Sequence, residues 1–250
     1  MSLIALTLDV IAKILPTLEK SGCTSRKILS LGYPDILASP EQVKSIFGGE
    51  VFSHLAFRAD SANIVGYHGA QSITDRVVDA DSLFTALGYP LDVIDIVAAR
   101  GGEIVHDLNL PVGPELHERY AVVLDAGTIE HCFNIAQAIA NTASMVAKGG
   151  VIMHGNPINM YNHGFYNLNP NWYHDFYETN GFTVEYLRLV LDVLAPSPKL
   201  YNLPAFERFG GVPDNGTMLA VVRRHAIQPI RWPVQRKFRE NPTLRGSSGQ

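Results

Sequence analysis

Cysteine is almost absent from this 250-residue chain, which has only Cys23 and Cys132. Two cysteines exclude a disulfide framework and suit a reducing cytoplasm; counting leaves a single bridge open beside the plain reading of two buried thiols. A membrane-length apolar run is also missing. The apolar N-terminal stretch 1–20 is interrupted by Asp9, Lys13 and Pro16, leaving no span of about 20 apolar residues. It lacks a basic start and an A-x-A type cleavage site, so a secretory signal is not expected. The stretch reads as an amphipathic helix that packs on the domain or on a second subunit, and the chain as cytoplasmic with no membrane partner. Several motifs are missing too: there is no H-E-x-x-H, C-x-x-C, G-x-S-x-G or P-loop. These absences remove the usual signatures of zinc, serine-nucleophile and nucleotide-triphosphate sites. Acid is scarce at one end: residues 221–250 carry +6, leaving −10 for residues 1–220 of a chain with net charge −4. Arg231, Arg236, Lys237 and Arg239 lie around Trp232 and Phe238, but the run is short and broken by Pro229, Pro233 and Pro242. It reads as a solvated tail packing partly on an acidic body, and no nucleic-acid partner is expected.

What is present fits one large domain. At 46% hydrophobic and 18% charged residues, the chain can bury a sizeable core. Apolar runs of strand character at 27–31, 91–97, 103–106, 121–124, 151–154, 183–190 and 218–223 alternate with helical patterns at 40–47, 80–87, 135–146 and 170–179. That alternation predicts βα units, a mainly parallel sheet and helices on both faces. Ser39 before Pro40 and Asn169 before Pro170 are sound helix starts. The expected organisation is an N-terminal helical extension (1–25), an α/β domain (26–225) with an insertion at about 48–78, and a basic tail (226–250). The N-terminal helix and the insertion are the places where a homodimer would form.

The segment from Tyr120 to Ile135, followed by Gly149 to Pro157, is the most informative part of the chain. Val122 to Leu124 form a short apolar run of the kind buried on both faces, and Asp125-Ala126-Gly127-Thr128 breaks it with turn residues. Glu130, His131 and Asn134 then open a helix. In an open α/β sheet ligands bind beyond the carboxyl ends of the strands, so these polar groups belong at the edge of a cleft.

The order of elements resembles the class I S-adenosylmethionine-dependent methyltransferases, over roughly residues 25 to 225. Lys27-Ile-Leu-Ser-Leu-Gly32 stands where that family has its first strand and glycine turn. Asp95 stands at its ribose-binding acid, and Asp107-Leu108-Asn109 at its adenine-contacting segment. The run from Tyr120 to His131 resembles the fourth strand and its loop, and Lys148-Gly149-Gly150 the Lys-Pro-Gly-Gly turn. The chain is most similar to a bacterial subset with E-H-x-F-N and N-H-G-F-Y elements, here Glu130-His131-Cys132-Phe133-Asn134 and Asn162-His163-Gly164-Phe165-Tyr166. The resemblance implies a Rossmann-like, seven-stranded sheet, mostly parallel with the last strand antiparallel, and S-adenosyl-L-methionine as cofactor. It places Gly32, Tyr33, Asp95, Ile96, Asp107, Leu108, Asn109, Asp125 and Gly127 on the cofactor side.

Two departures mark this chain. Gly32-Tyr33-Pro34-Asp35 replaces the family's G-x-G-x-G, removing small residues that let a backbone approach a ligand. A non-catalytic binding or scaffold protein with a degenerate cofactor pocket therefore stays open. Roughly sixty residues also separate the first two strands, about twice a plain strand-helix-strand unit, so the insertion is a lid, a partner-binding loop or a passive cover for the sheet edge. A third segment, His154 to Tyr177, is rich in Asn, Tyr and His. Asn156, Asn159, Asn162 and Tyr166 offer donors and acceptors for a small polar, sugar- or amino-acid-like substrate. Methyl transfer to oxygen or nitrogen needs an aligned nucleophile and a base. His131 and His163 are the catalytic candidates, with Glu130 orienting a histidine or binding an ammonium, and His154 reads as structural. His131, His154, His163 and His174 could converge with Glu130 or Asp125 on a metal, which would make a third reading, a metal-dependent enzyme; their spacing fits no zinc motif and no metal is expected.

Overall fold

A computed structural model describes residues 2–195 and 197–240. In chain order its elements are β1 (Ser2–Ile4), α1 (Ala5–Leu18), β2 (Ile28–Leu31), β3 (Asp35–Leu37), α2 (Pro40–Ser53), α3 (Ser61–His68), α4 (Ala80–Ala86), β4 (Leu91–Asp95) and β5 (Ile104–Val105). Then follow β6 (Tyr120–Asp125), α5 (Ile135–Met145), β7 (Val146–Pro157), α6 (Pro170–Thr179), β8 (Phe182–Leu191), β9 (Lys199–Tyr201), β10 (Thr217–Arg224) and α7 (Arg236–Arg239).

The main sheet runs β5-β4-β2-β6-β7-β10-β8-β9. Its first five strands are mutually parallel, and β10 is antiparallel to both of its neighbours, β7 and β8. The expected mixed α/β sheet is therefore present, with one correction: it has eight strands and not seven, because the short β9 pairs antiparallel with the outer edge of β8. A separate parallel pair, β1 with β3, had no sequence signal, each strand being three residues long.

Strand alternation sorts the core into two layers. Ile28, Val122, Leu124, Val151 and Met153 face α1, α2 and α4, where Leu8, Ile11, Ile14 and Phe84 meet them. Leu29, Leu31, Val123 and Ile152 face α5 and α6, against Ala138, Ile139, Tyr173, Phe176 and Tyr177. The buried stripe Leu8, Ile11, Leu15 and Leu18 is the helical period that seats α1 on its own domain. At the start of α2, Ser39 and Gln42 form a reciprocal capping box. Gly48, with φ 89° and ψ 164°, breaks α2 just after Phe47, where the helix was expected to stop. The insertion supplies α3, an antiparallel bridge between Phe57 and Val78, and a small cluster in which Ile64, Val65 and Val77 pack on Ile4 and Leu37.

Two expected details change. Glu130 and His131 do not open a helix: they lie in a single 3-10 turn, and α5 starts only at Ile135, with the Asn134 side chain accepting from the Gln137 amide. The Lys148-Gly149-Gly150 turn is a bulge inside β7, which pairs with Tyr120 through Val146 and with Val122 through Val151. Gly149 has φ 77°, and a Cβ there would run into the Ser21 carbonyl and come within 2.7 Å of the Cys23 amide. Residues after β10 strap across α6, the Asn180 side chain bracketing both backbone groups of Arg231 and the Arg236 amide donating to Asp175. Pro242 and the rest of 241–250 lie outside the described residues. Among the described residues no helix is long and apolar enough to cross a membrane, and both cysteines are free and buried.

Candidate active site

β6 and β7 end side by side, with Asp125 paired to His154 in register. Two residues further along β7, on the same face, comes Asn156. Behind them α6 presents Tyr173 and Tyr177, four residues apart and hence on one helical face. These five side chains and Glu130 form one buried polar network. Asp125 Oδ1 accepts from the Thr128 and Ile129 amides at 2.9 and 3.3 Å, closing the loop after β6. Its Oδ2 accepts from His154 Nδ1 at 2.6 Å and from Asn156 Nδ2 at 2.8 Å. Tyr177 OH lies 2.6 Å from His154 Nε2, and Tyr173 OH donates to Asn156 Oδ1 at 2.9 Å. Asn156 Nδ2 also donates to Glu130 Oε2 at 3.0 Å.

The electrostatics separate the two acids. Burial alone would raise Asp125, but the bonds from His154, Asn156 and Thr128 hold its carboxyl below the usual range. Glu130 has the opposite balance: burial, and then the charge on Asp125, push it up to about 8. Its Oε1 is buried with no hydrogen-bond partner among the described residues. Burial and the neighbouring His163 lower His131, favouring its neutral imidazole.

The E-H-x-F-N and N-H-G-F-Y segments dock on one another. The Phe165 amide donates to the Glu130 carbonyl at 2.9 Å, and Tyr166 OH donates to the Phe133 carbonyl at 2.8 Å. Phe133 and Phe165 meet edge to face at 5.4 Å, and the rings of His131 and His163 lie 5.0 Å apart. Gly164 is needed at this junction, since a Cβ would stand 2.9 Å from the Glu130 carbonyl. Donor atoms of Glu130, His131 and His163 all lie within 4.8 Å of one another.

These groups rim a cavity of about 460 Å³ at the carboxyl ends of β6 and β7. Leu124, Met153, Val190 and Leu219 give it an apolar floor, and β1, Leu6 and Thr7 with Tyr67 and His68 of α3 wall the far side. Of the residues singled out from sequence, Asp125, Gly127, Glu130, His131, His154 and His163 line it.

The remaining residues expected on the cofactor side lie along the same sheet edge but outside that cavity. Gly32, with φ 77°, ends β2 and donates its amide to the Ile94 carbonyl at 2.7 Å. Asp95 ends β4, its Oδ1 accepting from the Ile96 and Val97 amides, while those two apolar side chains are 66% and 56% exposed. Asp107 folds a turn onto Asn109, and Asn109 in turn accepts from the Asn134 amide at 2.8 Å; Leu108 is buried. Tyr33 packs beside the insertion, its ring 5.4 Å from the Arg58 guanidinium and under Arg100, and its hydroxyl donates to Asp79 at 2.6 Å.

On the substrate side, Asn156 belongs to the buried network, and Asn159 pins the loop before β10 through Val212, Pro213 and Gly216. Asn162 is exposed at φ 57°, and Tyr166 locks the two docked segments. Sequence reasoning passed over Tyr173 and Tyr177, and read His154 as structural; it lies fully buried at the centre of this network. Their signal was there in the paired spacings, two residues on a strand and four on a helix.

No protein-family model matches the sequence, and no curated protein matches it. Solved structures of related shape include the 1,6-didemethyltoxoflavin-N1-methyltransferase of Burkholderia thailandensis with bound S-adenosylhomocysteine, at TM-score 0.41 and 12% identity over 85% of this chain and 78% of that one. They also include the 16S rRNA (adenine(1408)-N(1))-methyltransferase of Catenulisporales acidiphilia, at TM-score 0.38 and 11% identity over 85% and 94% of the two chains. The second corrects one expectation: proteins of related shape include an enzyme named for ribosomal RNA, so the exclusion of nucleic acid from sequence is withdrawn.

Proposed function

We propose that this chain is an S-adenosylmethionine-dependent methyltransferase acting on an oxygen or nitrogen of a small polar molecule. The observation that carries the reading is the row of groups on one sheet edge. Moving across β5, β4, β2 and β6, the carboxyl ends offer the Asp107 turn, Asp95, the positive-φ Gly32 and Asp125-Ala126-Gly127, with the histidine-rimmed cavity next in line. An open sheet binds ligands at that edge.

The residues fit a nucleoside cofactor on its ribose and adenine sides. Asp95 engages its own turn through Oδ1 only, so among the described residues Oδ2 is left to accept from a ribose hydroxyl. Exposed Ile96 and Val97 beside it offer an apolar surface for a flat base. At the amino-acid end Gly32 stands alone, since the chain passes from Pro34 directly into β3. When bound, the cofactor supplies an electrophilic methyl group. The chain's own work is to seat the substrate over the apolar floor, exclude water, and accept the proton of its hydroxyl or ammonium at His131 or His163.

One observation favours a non-catalytic binding protein instead: Tyr33, at the centre of the degenerate turn, is committed to Asp79 and Arg100. Calorimetric titration with S-adenosylmethionine and S-adenosylhomocysteine separates the two readings. The methyltransferase reading expects binding in the micromolar range. Asp95→Ala should weaken it by about 10- to 150-fold, the loss of one charge-assisted hydrogen bond at about 1.5–3 kcal/mol. Failure of the unliganded chain to bind either compound would sink the methyltransferase reading.

A further inference from the structure

We propose that Glu130, His131 and His163 form a binding site for one divalent transition-metal ion at the mouth of the cavity. Their donor atoms converge within 4.8 Å. His163 Nε2 stands 3.7 Å from Glu130 Oε1, too far for a hydrogen bond. That spacing is close to the ~3.4 Å between two ligands that each sit about 2.1 Å from a tetrahedral ion. Glu130 Oε1 is buried and unpartnered among the described residues, whereas its twin Oε2 is held by Asn156. A carboxylate oriented by an outer hydrogen bond, with its other oxygen left free, is how a ligating acid is usually presented. An orphaned buried oxygen is costly, and a cation between it and the two imidazoles would satisfy it.

The ligand positions are set before any ion arrives. His163 belongs to a loop clamped onto the Glu130 backbone by the Phe165 amide and by the close approach of Gly164. His131 is the residue next to Glu130 in the same 3-10 turn. Two imidazoles and one carboxylate suit zinc, iron(II), cobalt(II) or manganese(II) better than magnesium or calcium, which prefer oxygen ligands. Three protein ligands leave at least one coordination position for solvent or substrate. Glu130, His131 and His163 all line the cavity, so a substrate hydroxyl seated there would complete the shell, its acidity raised by the charge of the ion and its proton passing to solvent water. His131 and His163 would then hold the ion rather than take the proton themselves. The ion site does not depend on cofactor binding, and the two are measured separately.

The test uses the full chain after chelator treatment and dialysis. Zinc uptake is followed by calorimetry and elemental analysis, and cobalt(II) by its visible absorption. The expected result is one ion per chain, with visible cobalt bands of low-coordinate geometry. His163→Ala and His131→Ala should each weaken uptake by more than the about 10- to 100-fold typical of losing an outer-shell partner. Both histidines are exposed, so these variants should keep the circular dichroism of the parent, and the exposed His117→Ala serves as the unaffected control. No zinc or cobalt uptake, or uptake that survives both substitutions, would overturn the site. Titrating S-adenosylmethionine against the same preparations keeps the outcomes apart, because a chain that takes up metal but no cofactor loses only the methyltransferase reading.

Discussion

Replacing Tyr177 by phenylalanine removes one oxygen atom from the most enclosed part of the polar network and leaves the ring in place. That ring is fully buried, packed at 5.1 Å against Phe182 and 5.2 Å against Phe176, so the change opens almost no cavity. The lost hydroxyl lies 2.6 Å from Nε2 of His154, which is itself 0% exposed. Whether the imidazole donates or accepts there, its nitrogen is left without a partner, and stranding a buried polar group costs about 1–3 kcal/mol. At about 2–4 °C per kcal/mol for a chain of this size, the midpoint of thermal unfolding should fall by about 2–12 °C. Tyr173→Phe is the comparison. It removes the one hydrogen bond that Asn156 Oδ1 accepts among the described residues, and because Asn156 is as buried as His154 it should likewise cost about 1–3 kcal/mol. Because both tyrosines end on groups bonded to Asp125, the double variant should depart from additivity by about 0.5 kcal/mol or more. Unfolding followed by circular dichroism decides the matter. A Tyr177→Phe effect below about 1 kcal/mol, or strict additivity, would mean that Asp125, His154 and Tyr177 do not act as one chain of bonds.

Gly149→Ala should cost more than about 2 kcal/mol in urea unfolding, since about 1–2 kcal/mol of left-handed strain adds to the collision with the Ser21 carbonyl. Gly101→Ala, at φ 85° with nothing within 4 Å, should show the strain alone, and equal effects at the two sites would remove the close approach from the account. Burial raises the thiol of Cys23 and pushes that of Cys132 up to about 11, neighbouring acids adding to the second. A raised thiol pKa keeps the unreactive protonated form dominant across neutral pH. Native protein should therefore label slowly with a thiol reagent at pH 8, the Cys132 rate climbing past pH 9 instead of levelling at the ordinary thiol value, and both thiols should label quickly in urea. A native Cys132 rate that levels off near pH 8.5 would contradict that environment.

Asp125 was legible in the sequence because it is the first polar residue after a fully apolar run, and a run of that kind in a parallel sheet ends at the ligand edge. His154 and Asn156 are harder to weigh. A histidine at the end of an apolar strand reads as an isolated polar intrusion until the register with β6 places it opposite Asp125. Register across a parallel sheet is non-local, and single-residue reasoning has no access to it. The same limit explains why the histidine spacings matched no zinc motif. Such motifs record ligands carried on one local element, whereas Glu130 and His163 meet because two loops from successive strand ends are stapled together by the Phe165 amide and the glycine at 164. Of the residues that read as a substrate loop, Tyr166 joins that staple through the Phe133 carbonyl and Asn159 holds the loop before β10, their side chains spent on backbone carbonyls. A polar residue in a glycine- and asparagine-rich segment is as well suited to holding a loop's own backbone as to meeting a ligand. What separates the two roles is whether a polar atom remains unsatisfied after the fold is complete, and on the rim of this cavity that atom is Oε1 of Glu130.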